Sequence, residues 1–397
     1  MSIEPRTRRA PAEFLSERIQ AMRPSGIRRF FDMLAEMKDV ISLSIGEPDF
    51  TTPEPITRAA IASLEAGKTH YTANGGMLDL RELIAADLSD RYRVTYDPRT
   101  ELIITVGASE AVDASLRAIC DPGDEVIYHE PCFVAYAPCI TLAGGVAIAV
   151  PTTAATDFQI TAEMVESAIT PRSKALFLGY PNNPTGAVLD RSALEAIAQV
   201  VERHDLLVIT DEIYERLVYG GHEHVAFSAL PGMRDRTVLI GGFSKSYAMT
   251  GWRIGYVAAP AEIMAGIAKV HQYGIMCAPT AAQYAAIEAL RSGEPFVRAM
   301  HDEYDRRRRL VTDRFNEIGL ACFEPRGAFY CFPQVTDATG LDDETFAQDL
   351  LREEHVAVVP GSAFGDSGAG HVRACYATAY EELVEAMDRI ERFVKSR

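Results

Sequence analysis

One lysine stands in a setting that suggests chemistry. Lys245 lies in a segment of small residues, 242–246, directly after a run of apolar residues. A lysine that is removed from water loses proton affinity, and its neutral amine can then form Schiff bases with carbonyl compounds. The alternative is an ordinary solvated loop lysine. Eight residues later comes Arg253, whose guanidinium could bind a phosphate through two parallel hydrogen bonds.

A carboxylate follows a second apolar run. Asp211 comes directly after residues 206–210, and Tyr214 follows three residues later. A carboxylate at the end of a buried strand is unfavourable unless it meets a cation or hydrogen-bond donors. A protonated pyridine nitrogen is such a cation, and an aspartate partner for it is typical of enzymes that use pyridoxal phosphate (PLP). Asp211 is therefore a candidate partner for a pyridine ring.

Two more segments offer groups that bind anions or oxygen atoms. Ala108 and Ser109 open a helical pattern, where free backbone N–H groups favour an anion; an ordinary helix cap is the alternative. Asn183 lies in the turn-rich segment 180–186 and offers a side-chain amide, unless that segment is only a loop. An anion cradle, an amide, a carboxylate and a lysine together match the requirements of a site for pyridoxal 5'-phosphate. No metal site is predicted.

The elements that would position these residues alternate along the chain. Helical patterns at 108–120 and 191–204 lie between short runs that are rich in Val and Ile. The predicted strands are 102–106, 125–128, 146–150, 174–179, 206–210, 237–241 and 254–258. This alternation predicts an α/β fold with a mainly parallel seven-stranded sheet that helices cover on both faces. Ligands of such sheets bind beyond the carboxyl ends of the strands, where the candidate residues lie.

The last third of the chain predicts a smaller α+β domain. Its helices are expected at 295–318, 343–354 and 381–396, and its strands at 328–332, 356–359 and 371–377. Residues 306–309 are four consecutive arginines, which we interpret as a solvated helix face. The segment before Pro48 shows no sheet partner of its own and is expected to pack on the C-terminal part. The predicted domains are therefore a large one, 48–293, and a small one, 1–47 with 294–397.

Charge and composition limit the partners. Lys and Arg number 39 against 56 Asp and Glu, a net charge of −17 that repels nucleic-acid backbones and anionic membranes. The arginines at 6, 8 and 9 are interrupted by acidic residues and indicate a solvated arm. Neither a signal peptide nor a run of about 18 apolar residues is present, so a cytoplasmic location is expected. The seven scattered cysteines favour reduced thiols.

The candidate residues occur in motifs that resemble the class I aminotransferases of PLP fold type I. The matching motifs extend over nearly the whole chain, in matching order and spacing. They are residues 44–50, Tyr71, 182–186, 211–214, 242–245, 249–255, 327–330 and 372–373. The fold type agrees with the α/β prediction, and the resemblance implies a transfer of amino groups between an L-amino acid and a 2-oxo acid.

The resemblance also implies roles at the cofactor. Lys245 resembles the lysine that holds PLP as a Schiff base and carries a proton, and Asp211 resembles the partner of the pyridine nitrogen. Tyr214 and Asn183 resemble the pair that binds the phenolic oxygen, and Phe133 the ring that stacks on the pyridine. The implied phosphate ligands are Ala108, Ser109, Ser244 and Arg253.

Substrate and subunit contacts follow from the same resemblance. Arg373 resembles the arginine that binds the substrate α-carboxylate, with Asn183 beside it, and Gly46 lets the backbone approach the substrate. Tyr71 resembles a tyrosine that reaches the phosphate of the neighbouring subunit, which implies a homodimer with shared active sites. Gly242 departs from the family, because many members have Ser there; Ser244, Ser246 or water could supply the missing hydrogen bond.

The substrate is left open. Ser109 stands where some aspartate-specific members carry a lysine for the distal carboxylate, and Arg28 is a candidate replacement. Residues 27–31, 131–136 and 359–362 resemble prokaryotic aromatic and N-acetyl-diaminopimelate aminotransferases, which implies a ping-pong reaction with 2-oxoglutarate as acceptor. Aromatic, N-acyl-diaminopimelate and aspartate donors are all retained. A C–S lyase or a related eliminating enzyme on the same fold is the alternative.

Overall fold

A computed structural model describes residues 10–22, 37 and 39–397. Its strands, in chain order, are β1 (Ile41–Ser42), β2 (Leu102–Thr105), β3 (Glu125–Glu130), β4 (Val146–Pro151), β5 (Ser173–Leu178), β6 (Leu207–Asp211), β7 (Thr237–Gly242), β8 (Gly255–Ala258), β9 (Tyr330–Cys331), β10 (Val356–Ala357), β11 (Val359–Pro360) and β12 (Val372–Cys375).

Its α-helices are α1 (Glu17–Ala21), α2 (Glu54–Glu65), α3 (Leu78–Tyr92), α4 (Gly107–Ile119), α5 (Tyr136–Ala143), α6 (Ala162–Ala168), α7 (Arg191–Arg203), α8 (Ala261–Gly274), α9 (Thr280–Ser292), α10 (Glu294–Ile318), α11 (Thr336–Thr339), α12 (Asp343–Glu354) and α13 (Tyr380–Lys395). None of the described helices combines the length and the apolar character that a bilayer span requires.

The central sheet confirms the predicted architecture. Its seven strands lie in the order β2-β8-β7-β6-β5-β3-β4. β8 alone runs in the direction opposite to the other six. The inner strands are apolar on both faces: Leu176, Phe177 and Ile209 are all fully buried. Helices cover both faces of such a sheet, which explains these continuous apolar runs. Each of the seven predicted strands overlaps an observed one.

The C-terminal part contains two smaller sheets. β11, β12 and β9 form an antiparallel sheet, while β1 pairs with β10 in parallel. The strand predicted at 356–359 is therefore two strands, because the chain changes its pairing partner at Val358. The segment before Pro48 was predicted to have no sheet partner of its own, yet Ile41 pairs with Val356 of the C-terminal part, in a strand too short to produce an alternating pattern. Leu43 is buried in the same core as Val356.

The four consecutive arginines do not form one solvated face. Arg306 and Arg309 are exposed, but Arg307 and Arg308 are only 5% and 4% exposed. Successive residues of a helix are about 100° apart, so Arg306 and Arg309 lie on one side while Arg307 and Arg308 point to other sides. The guanidinium of Arg307 donates to Asp49 Oδ1 at 2.9 Å, and so connects α10 to a distant segment.

Arg308 forms the second buried contact of this run. Its Nη1 donates to Glu324 Oε1 at 2.7 Å and to the Pro325 carbonyl at 3.1 Å, and it also pairs with Asp305. The interpretation as a solvated face was therefore wrong for the two inner arginines. Their partners lie far away or on the adjacent turn, which the local run of charge does not reveal.

We expect Arg308→Met to lower the free energy of unfolding by about 2 kcal/mol, because it leaves the acidic partners and a carbonyl without their buried donor. Arg309→Met, at an exposed position of the same helix, should change it by less than about 0.5 kcal/mol. Chemical denaturation of the two variants beside the unaltered protein measures the difference. Equal effects at both positions would contradict a role for the buried contacts.

Candidate active site

One cavity of about 560 Å³ lies beyond the carboxyl ends of β5, β6 and β7. Eleven of the twelve residues predicted from the sequence line it: Gly46, Ala108, Ser109, Phe133, Asn183, Asp211, Tyr214, Ser244, Lys245, Arg253 and Arg373. Tyr71 is the exception, since it lies outside the cavity on the surface with 81% of its area exposed. Arg28, the candidate for a distal carboxylate, falls outside the described residues.

Lys245 projects into this cavity from the turn after β7. Its Nζ donates a hydrogen bond to the carbonyl of Gly46 at 2.6 Å, and it lies 5.7 Å and 5.6 Å from the ring centres of Tyr214 and Phe329. Burial lowers the pKa of the Lys245 amine to about 8, because the ammonium form loses its hydration. A neutral amine, which is a nucleophile and a base, is therefore accessible near physiological pH.

Asp211 is the last residue of β6 and lies at the floor of the cavity. The hydroxyl of Tyr136 donates to its Oδ2 at 2.9 Å, and the backbone N–H of Ile213 donates to its Oδ1 at 3.2 Å. Burial nevertheless raises the pKa of Asp211 to about 6, although both donors act to lower it. A cation beside this carboxylate would restore its preference for the ionised form. A pyridinium nitrogen fits this requirement.

The start of α4 forms an anion cradle with Arg253. The backbone N–H groups of Ala108 and Ser109 belong to the first turn, where a helix offers them no internal acceptor. Gly107 has a φ of +72°, and a Cβ there would lie 2.7 Å from Arg253 Nη2. Glycine takes this backbone conformation without strain, and it leaves room for the guanidinium against the helix start. Free N–H groups, the helix dipole and a guanidinium suit the phosphate of PLP.

Arg373 extends from β12 to the opposite side of the cavity. Its Nη1 donates to Asn183 Oδ1 at 2.9 Å and its Nη2 to the carbonyl of Ser44 at 2.6 Å. Its guanidinium carbon lies 4.6 Å and 4.8 Å from the ring centres of Tyr330 and Phe364. Its buried Nε has no hydrogen-bond partner among the described residues. A fixed, incompletely satisfied guanidinium is suited to bind a carboxylate.

The sequence analysis gave no role to two tyrosines of this site. Tyr136 bonds to Asp211, and the hydroxyl of Tyr330 lies 2.7 Å from that of Tyr214. Both stood within segments noted for their resemblance to relatives, at 131–136 and 327–330, but no local pattern indicated their partners. Tyr136 begins α5 and its N–H donates to the Phe133 carbonyl at 3.1 Å, so the two residues share one turn, but no sequence feature indicated the contact with Asp211.

The departure at Gly242 has a structural reason. A Cβ at this position would lie 2.8 Å from Ile213 Cδ1 and 3.3 Å from the Cα of Gly255. A serine here would require its neighbours to shift. Ser244 lines the cavity, whereas Ser246 does not, although its Oγ is buried with no partner among the described residues. Ser244 is therefore the better placed of the two serines to bind a phosphate.

Comparison with known proteins agrees with this geometry. The family model of aminotransferase classes I and II matches residues 38–390. A putative aminotransferase of Bacillus subtilis, YugH, is 50% identical over 96% of this chain and 98% of its own length. The aspartate aminotransferase of Pyrococcus abyssi is 46% identical over 96% of this chain and 99% of its own. The solved aromatic aminotransferase of Pyrococcus horikoshii superimposes with a TM-score of 0.89, at 46% identity over 93% and 99% of the two chains.

The pKa of Lys245 predicts how its reactivity depends on pH. In the cofactor-free protein, acylation of this amine should rise as the pH rises through about 8, since only the neutral amine is a nucleophile and the ammonium dominates below that pH. Peptide mapping by mass spectrometry after brief acylation at a series of pH values measures the midpoint. A midpoint near the ordinary lysine value of 10.5 would show that burial does not act on this group.

Proposed function

Because this chain belongs to the class I and II aminotransferases, we propose that it transfers the amino group of an L-amino acid, preferably an aromatic one, to 2-oxoglutarate by a ping-pong mechanism. Enzymes of this class use PLP, and the anion cradle, the buried carboxylate and the depressed lysine pKa all fit that cofactor. When bound, PLP supplies an electron sink for the electron pair that remains when the substrate Cα loses its proton.

We assign the protein's own steps to four residues. Lys245 would hold the cofactor covalently; once the substrate amino group has displaced it, its free neutral Nζ would take the proton from the substrate Cα and carry it to the cofactor. Asp211 keeps the ring nitrogen protonated. Tyr214 and Asn183 donate to the phenolic oxygen. Phe133 covers the ring, while Ala108, Ser109, Ser244 and Arg253 hold the phosphate.

The observation that carries this proposal is the state of Arg373. Its guanidinium is buried between two aromatic rings and held by Asn183 and Ser44, yet its Nε remains unpaired. A buried cation with unused donors is unfavourable until an anion arrives. The α-carboxylate of an amino acid meets this need and leaves the α-carbon facing Lys245, with Gly46 beside it.

The choice of an aromatic donor is supported by the small number of lysines and arginines in the cavity and by the roles proposed for them. Lys245, Arg253 and Arg373 are the lysines and arginines among its described lining residues, and each already has a task. Ile45 is 43% exposed and lines the cavity together with Phe133, so an apolar side chain gains contacts there. Aspartate and N-acyl-diaminopimelate donors remain the alternatives.

We further propose a cytoplasmic homodimer in which Tyr71 completes the phosphate site of the partner. The side chain of Tyr71 is a large aromatic group in water, which an interface would cover. In the same proposal, residues 48–293 form the cofactor-binding domain, and 1–47 with 294–397 form the smaller one. Arg373 and Lys245 then come from different domains that meet at the cavity.

The direct test is the absorption spectrum of the PLP-loaded protein during titration with single amino acids. We expect phenylalanine or tyrosine to bleach the visible band of the cofactor at lower concentration than aspartate does, and 2-oxoglutarate to restore it. Bleaching by an acyl-diaminopimelate at still lower concentration would change the donor but leave the reaction intact. Release of ammonia and pyruvate without any acceptor would instead favour the C–S lyase.

We expect Arg373→Lys to lower kcat/KM for the best donor by about 100-fold, because an ammonium cannot offer two parallel donors to the α-carboxylate. The spectrum and the affinity of bound PLP should stay nearly unchanged, since Arg373 lies away from the phosphate cradle. Steady-state kinetics and cofactor titration separate the two effects. Unchanged kcat/KM in this variant would remove Arg373 from substrate binding.

A further inference from the structure

A buried pair of titratable side chains lies directly behind the anion cradle. Glu110 follows Ser109 in α4, and His271 lies in the last turn of α8. The Nδ1 atom of His271 is 2.5 Å from Glu110 Oε1. The histidine is fully buried and the glutamate side chain is 10% exposed. Neither residue lines the cavity, and neither has a role in the steps proposed above.

Each end of this pair holds a backbone group. The second nitrogen of His271, Nε2, lies 2.9 Å from the carbonyl oxygen of Asn74, which can only accept a hydrogen bond. Nε2 must therefore carry a proton. On the other side, Glu110 Oε2 accepts from the backbone N–H of Val106 at 2.5 Å. Because both ring nitrogens and both carboxylate oxygens are engaged, neither side chain can turn without losing a buried hydrogen bond.

The two backbone groups belong to different functional segments. Val106 immediately precedes the turn that supplies the N–H groups of Ala108 and Ser109. Asn74 lies in residues 70–76, an irregular segment that also contains Tyr71. This segment has other anchors, since the Asn74 side chain donates to the Met276 carbonyl at 2.7 Å. Only the pair, among the described side-chain contacts, connects it to α4.

We propose that Glu110 and His271 are positioning residues for the phosphate of PLP. Together with the backbone hydrogen bond from Ile104 to the Gly75 carbonyl, they hold the start of α4 near residues 70–76, so the pair contributes to both the cradle of this chain and the position of Tyr71. The inference rests on the proposed function for its use of PLP and for the task of Tyr71. It assigns no chemical step to either side chain.

The test compares PLP with pyridoxal, which lacks the phosphate, as ligands of the cofactor-free full-length protein. We expect His271→Phe, which fills the space but removes both hydrogen bonds, to weaken PLP binding about tenfold and to leave pyridoxal binding unchanged. Glu110→Gln should bind PLP nearly as the unaltered protein does, because its amide can accept from Val106 and donate to a neutral Nδ1. Backbone hydrogen exchange of residues 70–76 should become faster in His271→Phe and not in Glu110→Gln.

A second variant and a control distinguish a local effect on phosphate binding from a general loss of stability. Glu110→Ala, at a position that is not fully buried, should show the same tenfold loss for PLP only. The control Arg308→Met removes a buried charged contact on α10, and it should lower stability while leaving the PLP-to-pyridoxal ratio unchanged.

Two results would overturn the inference: equal weakening of both ligands in the His271 and Glu110 variants, or PLP binding that these variants retain in full. If the unaltered protein itself binds PLP no better than pyridoxal, the proposed phosphate site fails instead.

Discussion

The removal of water from a cavity that contains both a lysine and an aspartate is the constraint on which the rest of the site depends. The same loss of hydration moves the pKa of Lys245 down to about 8 and that of Asp211 up to about 6, so burial pushes both groups toward their neutral forms. For the lysine this is useful, since a neutral amine is the reactive form. For the aspartate it is unfavourable, and the cationic ring nitrogen that we propose beside it would restore the ionised form.

Hydrogen bonds decide which of the two groups keeps its charge. Asp211 receives donors from Tyr136 and from the Ile213 backbone, and both oppose the effect of burial. Among the described residues Lys245 donates to one acceptor, the Gly46 carbonyl; Arg373 disfavours its ammonium form, whereas Glu47 and Asp211 favour it. The cavity thus favours a carboxylate at Asp211 and makes a neutral amine accessible at Lys245. Two charged groups of opposite sign are not simply paired here, because each has a separate partner.

The parts that the sequence predicted are those with a local signature. The strands of the parallel sheet are continuous apolar runs, and Lys245, Asp211 and Asn183 follow such runs at the edge where ligands bind. Contacts between distant residues leave no such signature. Asp211 and Tyr136 are 75 positions apart, and His271 and Glu110 are 161 apart. The inner arginines of the 306–309 run were misjudged for the same reason, since their charge pattern is the same whether the partner is water or Asp49.

The residues proposed for the substrate and those proposed for the cofactor are positioned by different sheets. Lys245, Asp211 and Ser109, which we propose for the cofactor, lie at the ends of strands of one sheet, whose hydrogen-bonded register fixes their separation. Arg373 lies in a different sheet, and it reaches the cavity through bonds to Asn183 beyond the central sheet and to Ser44 near β1. A small displacement of the C-terminal part would therefore alter the position of Arg373 while the cofactor residues stay in place. Because two segments brace the guanidinium, the role proposed for Arg373 would tie recognition of the substrate carboxylate to the correct packing of the C-terminal part, and would leave retention of the cofactor to the central sheet.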